Sequence, residues 1–178
     1  MKSQTKKINN RAHFNYYDSF ANKNWMPSKH EDDSSIDFFS IPDYAVTILE
    51  GKNKVSQLFV YMRKVSIENN DITIAGIGDV VTHINFRRKG YGVELLNQAL
   101  EFISDKADFA LLCTDIDKLG NFYRLAGFKP LKKTYYFMDK FGFEKTESGG
   151  MYMRLSDCPE IDNILNPDIK LHVGRSNF

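Results

Sequence analysis

The run Arg87-Arg88-Lys89-Gly90-Tyr91-Gly92 lies between a β-branched stretch and a segment with helical period. An RxxGxG pattern in that position suits a diphosphate cradle. Its glycines let the backbone turn sharply and aim N–H groups outward, and the helix that follows adds the partial positive charge of its N-terminus. Arg87, Arg88 and Lys89 supplement the amides, with Arg87 or Lys89 expected on phosphate oxygens and Arg88 the most dispensable. A basic loop that only caps a helix has the same composition. Two other nucleotide loops fit less well. No GxxxxGK[ST] occurs, and Gly76-Ile77-Gly78 is followed by Asp79, Val80 and Val81 instead of the third glycine of a dinucleotide fingerprint.

The elements that must position this loop are legible around it. Tyr44 to Leu49, a Gly/Asn turn at Gly51 to Asn53, and Val55 to Ile67 form a hairpin pattern, and Ile72 to Ile84 follows as a third antiparallel strand. After Gly92 the period changes. Leu96, Ala99, Leu100 and Ile103 fall on one helix face, and Phe109 to Cys113 is a continuous apolar run of the kind buried on both faces of a sheet. Strand, helix, strand implies a parallel pair with a right-handed crossover. A short helix carrying Leu119, Phe122, Tyr123 and Ala126 comes next, with Gly127 as its cap and Pro130 as its stop. Thr134 to Met138 and Met151 to Leu155 are expected as the last strands, separated by a polar segment from Lys140 to Gly150. Up to about Ile41 the aromatics Phe14, Tyr16, Tyr17, Phe20 and Trp25 are spaced like helix faces, and no first strand is evident there. The stretch from Ser156 onward, broken by Pro159 and Pro167, takes no assignment.

Composition narrows the function classes. The 178 residues are 42% hydrophobic and 26% charged, as for a single domain across 1–178. With 24 basic and 23 acidic residues the net charge is +1, so no overall field steers the chain toward nucleic acid or a membrane. The first ten residues have no apolar core of a secretory signal, and no run is long enough to span a bilayer. Cys113 and Cys158 in dissimilar contexts suit a reduced, cytoplasmic chain. The four histidines lack metal-ligand spacing, so no metal is expected.

The block from Gly76 to Phe128, reading GxGDVVTHxxFRRKGYG and then GNFYRLAGF after a helix and an apolar strand, resembles the GNAT superfamily of N-acetyltransferases. The resemblance spans roughly Tyr44 to Leu155. The Glu31-Asp32-Asp33 patch, the FYRLAGFKPLKKT segment and the late GGMYMRL strand look most like aminoglycoside 2'-N-acetyltransferases.

This resemblance implies an α/β fold of the α+β type: a mixed, mostly antiparallel sheet with a splayed parallel strand pair and helices on both faces. Acetyl-CoA would lie in the splay, its pantetheine arm pairing along Val80, Val81 and Thr82 and its diphosphate on the loop from Arg87 to Gly92. No acyl-enzyme is expected, since Cys113 has no evident histidine partner. Tyr123 matches the superfamily's usual general acid, although a helix tyrosine also packs into a core. Asp79 lies near positions where acidic residues of the superfamily take the amine's proton, with His83 as second candidate. Strand alternation sets Asp79 opposite Val80. Thr114 and Asp115 either touch substrate or begin a helix. Asp32 and Asp33, with Glu31, either attract a polycationic substrate or form a soluble loop.

The implied acceptor is a small-molecule primary amine, an aminosugar first and a peptide or polyamine as rivals. A non-catalytic acyl-CoA sensor is the alternative outside enzymology, and a homodimer is one assembly option. The sequence departs from the superfamily pattern where an asparagine often precedes the motif tyrosine, here Thr114-Asp115-Ile116-Asp117, and at Ile84, where a proline is common.

Overall fold

The computed structural model describes residues 2–24, 37–68 and 70–178. Its first element is a strand, β1 (Lys2–Lys7), paired antiparallel with β2 (Tyr44–Glu50) from Lys2 opposite Leu49 to Lys7 opposite Tyr44. The sequence KSQTKK gives no sign of it. As an edge strand it needs no apolar face, and its lysines protect an edge that would otherwise invite pairing with another chain. The helical spacing of Phe14, Tyr16, Tyr17 and Phe20 is realised as α1 (Arg11–Asn24), which buries Tyr17 and Ala21, and Trp25 lies outside the described residues. Lys54 pins this helix to the sheet, its Nζ lying 4.5 Å from the centre of the Tyr17 ring and 5.2 Å from that of Phe20.

The expected antiparallel meander is present as β2, β3 (Asn53–Ile67) and β4 (Asn70–Thr82). Gly51, at φ +61°, supplies the left-handed residue of the first turn. The strand expected to reach Ile84 stops at Thr82, because Ile84–Phe86 winds into a 3-10 turn. Then come α2 (Tyr91–Ile103) and β5 (Phe109–Cys113). In β5, Phe109 and Leu111 enter the core layer beneath α1, while Ala110 and Leu112 enter the layer beneath α2. Burial on both faces explains the absence of alternation in this run.

The short helix is α3 (Ile116–Arg124). Phe128 N–H donates to Tyr123 O at 3.2 Å and Gly127 N–H to Arg124 O at 3.0 Å, closing it in a Schellman turn with Gly127 at φ +92°. β6 (Lys129–Pro130) follows, then β7 (Tyr135–Met138), β8 (Glu144–Glu147) and β9 (Gly150–Arg154). The segment expected only to separate the last strands thus contains a strand of its own. β8 reads EKTE and is largely exposed, so it lacks the apolar residues by which a strand is recognised. The unassigned tail holds α4 (Glu160–Leu165) and β10 (His172–Arg175).

Two sheets result. The larger has the order β1-β2-β3-β4-β5-β9-β6 and the smaller β10-β7-β8. One core layer, with Tyr17, Phe59, Ile161 and Ile164, faces α1 and α4; the other, with Ile48, Leu58, Leu96 and Phe128, faces α2 and α3. Fully buried residues such as Leu95, Leu96 and Ile103 each contribute roughly 1.5–3 kcal/mol relative to exposure, which holds α2 firmly on the sheet. None of the described helices is long and apolar enough to cross a membrane.

The larger sheet opens at its parallel pair, β4 with β5. β4 meets β5 at Ile74↔Phe109, Ala75↔Ala110 and Gly76↔Leu111, after which β5 continues along β9 as far as Cys113↔Gly150. Among the described residues the β4 edge on that side is unpaired from Ile77 to Thr82, leaving a wedge between two diverging strands.

Candidate active site

At the mouth of the wedge, His83 opens the 3-10 turn by accepting Asn85 N–H on Nδ1 at 3.2 Å, and its ring meets Phe86 at 5.6 Å. Arg88 at φ +60° and Gly90 at φ +85° then reverse the chain into α2. Arg87 N–H donates to Ile84 O at 3.3 Å, and the first α2 amide that bonds back is Glu94 N–H, to Gly90 O at 3.0 Å. Between them, the amides of Arg88, Lys89, Gly90, Tyr91 and Gly92 donate to no protein acceptor among the described residues. Orphan amides at a helix start are an anion site, strengthened by the helix dipole.

Side chains fix this loop in place. Tyr91 Oη donates to Glu50 Oε1 at 2.6 Å, tying the start of α2 to the β2–β3 turn. At Gly92 a Cβ would stand 2.9 Å from Phe122 Cε2, so any larger residue would make the Phe122 ring shift. Arg87 has a different task from the one expected. Its Nε donates to Thr82 O at 3.0 Å and an Nη to Asn24 O at 2.6 Å, binding β4 to the end of α1. Lys89 lies with Nζ 5.2 Å from the Phe86 ring centre, and Arg88 is exposed.

Deeper in the wedge, β4 bulges. Phe59 pairs with Gly78 and Gln57 with Val81, so Asp79 and Val80 together oppose Leu58. The simple alternation expected at Asp79 is therefore broken, and Asp79 takes φ +49°, which for a residue with a Cβ costs about 1–2 kcal/mol. Burial first, and the charge of Asp18 second, push its carboxyl up to about 6. No donor among the described residues reaches that carboxylate.

Opposite, the phenol of Tyr123 is buried between Phe122 and Phe128. Burial raises its pKa to about 12, a hydrogen bond with Thr114 opposes the shift, and Cys113 and Asp79 add to it. The structure thus brings Tyr123, Thr114 and Asp79 into one electrostatic neighbourhood. His83 stands four residues further along, past the end of β4 and at the start of the 3-10 turn. Asp115 is the N-cap of α3, accepting Lys118 N–H at 3.2 Å and pairing with Lys118 Nζ at 2.7 Å, its side chain half exposed. Burial, with Glu147 next, lifts the Cys113 thiol to about 12, so it is no thiolate at neutral pH. Asp32 and Asp33 lie outside the described residues. Among the described residues no cluster of His, Cys, Asp and Glu is arranged to hold a metal.

Several site residues carried no signal in the sequence. A cleft of about 410 Å3 opens beside Asp79, between α1 and the sheet, and its lining includes Asp18, Phe14, Phe39, Tyr61 and Phe178. The tail is locked under it: Arg63 donates from Nη1 to Val173 O at 3.0 Å and Ser176 O at 2.6 Å, and from Nη2 to Asn177 O at 3.2 Å. Gly76 and Gly78 admit this tail, Gly78 also standing next to the bulge. A Cβ on Gly76 would be 1.9 Å from Phe178 Cδ1, and one on Gly78 3.0 Å from the Phe178 carbonyl carbon. Only the backbone approach is legible in glycine spacing; the partner that approaches is not. A smaller hollow of about 280 Å3, lined by Gly127, Lys129, Tyr152, Met153 and Arg154, shares no residue with this site.

An acetyltransferase (GNAT) domain matches residues 25–131. Similar folds occur in the ribosomal-protein-S18-alanine N-acetyltransferase of Escherichia coli, at 12% identity over 89% of this chain and 97% of that one, with TM-score 0.54. They occur also in YhbS, a GNAT family N-acetyltransferase of Escherichia coli in complex with CoA, at 14% identity over 74% and 66%, TM-score 0.52. A GCN5-related N-acetyltransferase of Anabaena variabilis is a third, at 15% identity over 76% and 34%, TM-score 0.54. At such identities the likeness is one of fold. The chain spans only 23% to 33% of the length of three further similar structures. No curated protein matches it. The finer likeness to aminoglycoside 2'-N-acetyltransferases gains no support from these comparisons.

Proposed function

The chain belongs to the GNAT acetyltransferase family, and from that premise we propose that residues 1–178 form one catalytic domain that moves an acetyl group from acetyl-CoA to a primary amine. The observation that carries this reading is the row of five unengaged amides from Arg88 to Gly92 beside an unpaired β4 edge. A diphosphate suits the amides and an extended amide-bearing arm suits the edge. Acetyl-CoA supplies the acetyl group as a thioester with a thiolate leaving group.

The residues divide the proton work. An ammonium must lose one proton to become nucleophilic and another as the amide bond forms; Asp79, ionised at neutral pH yet with a raised pKa, accepts the first and passes it to water. The C–S bond breaks as the N–C bond forms, Tyr123 Oη donates a proton to the departing sulfur, and the second amine proton restores the phenol, so one proton is released per turnover. Thr114 holds the phenol. Arg88 and Lys89 are the cations left to flank phosphate oxygens, since Arg87 is engaged with carbonyls. The two unpaired thiols, Cys113 and Cys158, support a reducing, cytoplasmic setting. Aminosugars, polyamines and peptide amines are the acceptor classes to separate.

Thiol release from acetyl-CoA over an amine panel is the test. Tyr123→Phe should lower kcat by about 10²-fold or more while leaving acetyl-CoA affinity nearly intact. Coenzyme A binding with no turnover on any amine would instead identify a sensor.

A further inference from the structure

We propose that the cleft between α1 and β4 takes a compact amine with one positive charge and an apolar, aromatic-sized body, and that Asp18 holds its ammonium beside Asp79. The inference rests on the acetyltransferase reading and names the acceptor class for the same site.

Three observations converge. The first is charge. Asp18 and Asp79 line one cleft, and two carboxylates sharing a partly desolvated space repel unless a cation lies between them. Asn22 Nδ2 donates to Asp18 Oδ2 at 2.8 Å and so orients that group, while Asp79 has no donor. Arg11 also lines the cleft, with its guanidinium 5.5 Å from the Phe14 ring centre, and forms no ion pair with either carboxylate among the described residues. Among the described residues the lining side chains carry two negative charges and one positive, a net negative cleft that favours an ammonium. The titratable groups facing Asp79 are Asp18 and Arg11 on α1, Tyr61 on β3 and Tyr123 on α3.

The second observation is the wall. Phe14, Phe38, Phe39, Tyr61 and Phe178 surround the carboxylates. Aromatic faces attract a cation and bury the apolar group attached to it, and they offer little to the many hydroxyls of an aminosugar. The third is size. About 410 Å3 is near the lower end of the range for small-molecule sites, so it suits a one-ring amine. The cleft also meets the wedge at Asp79, where transfer must occur.

The experiment uses 2-phenylethylamine, spermidine and neamine as probes with the full chain. Amine binding is measured by calorimetry on protein saturated with coenzyme A, and turnover by thiol release. We expect 2-phenylethylamine to exceed both polycations in kcat/KM by about tenfold or more. Asp18→Asn should raise both its Kd and its KM by about tenfold, the loss of one charge-assisted contact, with kcat changed less than about threefold. The acid limb of kcat/KM should move to lower pH in this variant, because the second charge raising Asp79 is gone. Phe39→Leu, which leaves both carboxylates in place, should weaken 2-phenylethylamine more than spermidine.

An unchanged Kd and KM in Asp18→Asn, or a preference for spermidine or neamine, overturns the proposal while leaving acetyl transfer standing. Asp18-dependent binding of 2-phenylethylamine with no thiol release from any amine keeps the cleft assignment and removes the acetyltransferase reading.

Discussion

The cradle and the acceptor cleft are built from different materials. The cradle is backbone: five consecutive amides at the start of α2, kept free by a turn that needs a left-handed Gly90 and a bare Gly92. The cleft is side chains, drawn from α1, β3, the β4 bulge and the tail beyond β10. A backbone site tolerates change in most of its side chains and recognises a generic charged group. A side-chain site changes chemistry with each substitution. On the proposed reading one molecule combines a fixed donor end with an adjustable acceptor end, and the two meet at Asp79.

Asp79→Asn should separate the two ends most sharply. We expect kcat/KM to fall by about 10²-fold or more with coenzyme A affinity unchanged. In the unaltered protein the rate should drop as pH falls through about 6, the value to which burial and Asp18 raise this carboxyl. Stability should move the other way. A carboxylate raised from 3.8 to about 6 penalises the folded state little below the lower value, increasingly up to the upper one, and fully at neutral pH. Asp79→Asn should therefore stabilise the protein at pH 7, by roughly 2–3 kcal/mol, and hardly at all near pH 4, as measured by denaturant melts. Equal stability at both values would mean that the carboxylate is solvated.

The tail is the next place to break the contrast. Arg63→Met leaves three tail carbonyls without their donor and should destabilise by about 2–4 kcal/mol, raising KM for the amine while coenzyme A titrations stay the same. If the two affinities fell together, the ends would not be independent. The smallest effect is expected at Asp115. As the exposed cap of α3 it should contribute little, so Asp115→Ala should lower the melting temperature slightly and leave KM alone; a large KM change would return it to the substrate site.

Legibility in the sequence follows the same division. The cradle could be read because contiguous residues make it, and glycine at a fixed spacing is a direct statement about backbone. The meander, α2, β5 and α3 could be read because burial on one or two faces imposes a period. β1 and β8 could not, since KSQTKK and EKTE are strands held by pairing at a sheet edge and have no apolar face. Asp18 was invisible for a related reason: on a polar helix one aspartate looks like any other until the fold sets it near residue 79. Gly76 and Gly78 announced a close approach, and only the fold shows that Phe178 makes it.

The central claim is that the main-chain nitrogens from residue 88 to residue 92 receive a diphosphate. Amide 1H–15N spectra recorded during a coenzyme A titration, with pantetheine as the control lacking phosphate, test it directly. Coenzyme A should shift the amides of Arg88 to Gly92 and those along Ile77 to Thr82, and pantetheine only the latter. Saturation with coenzyme A that leaves the Arg88–Gly92 amides unmoved would contradict the account.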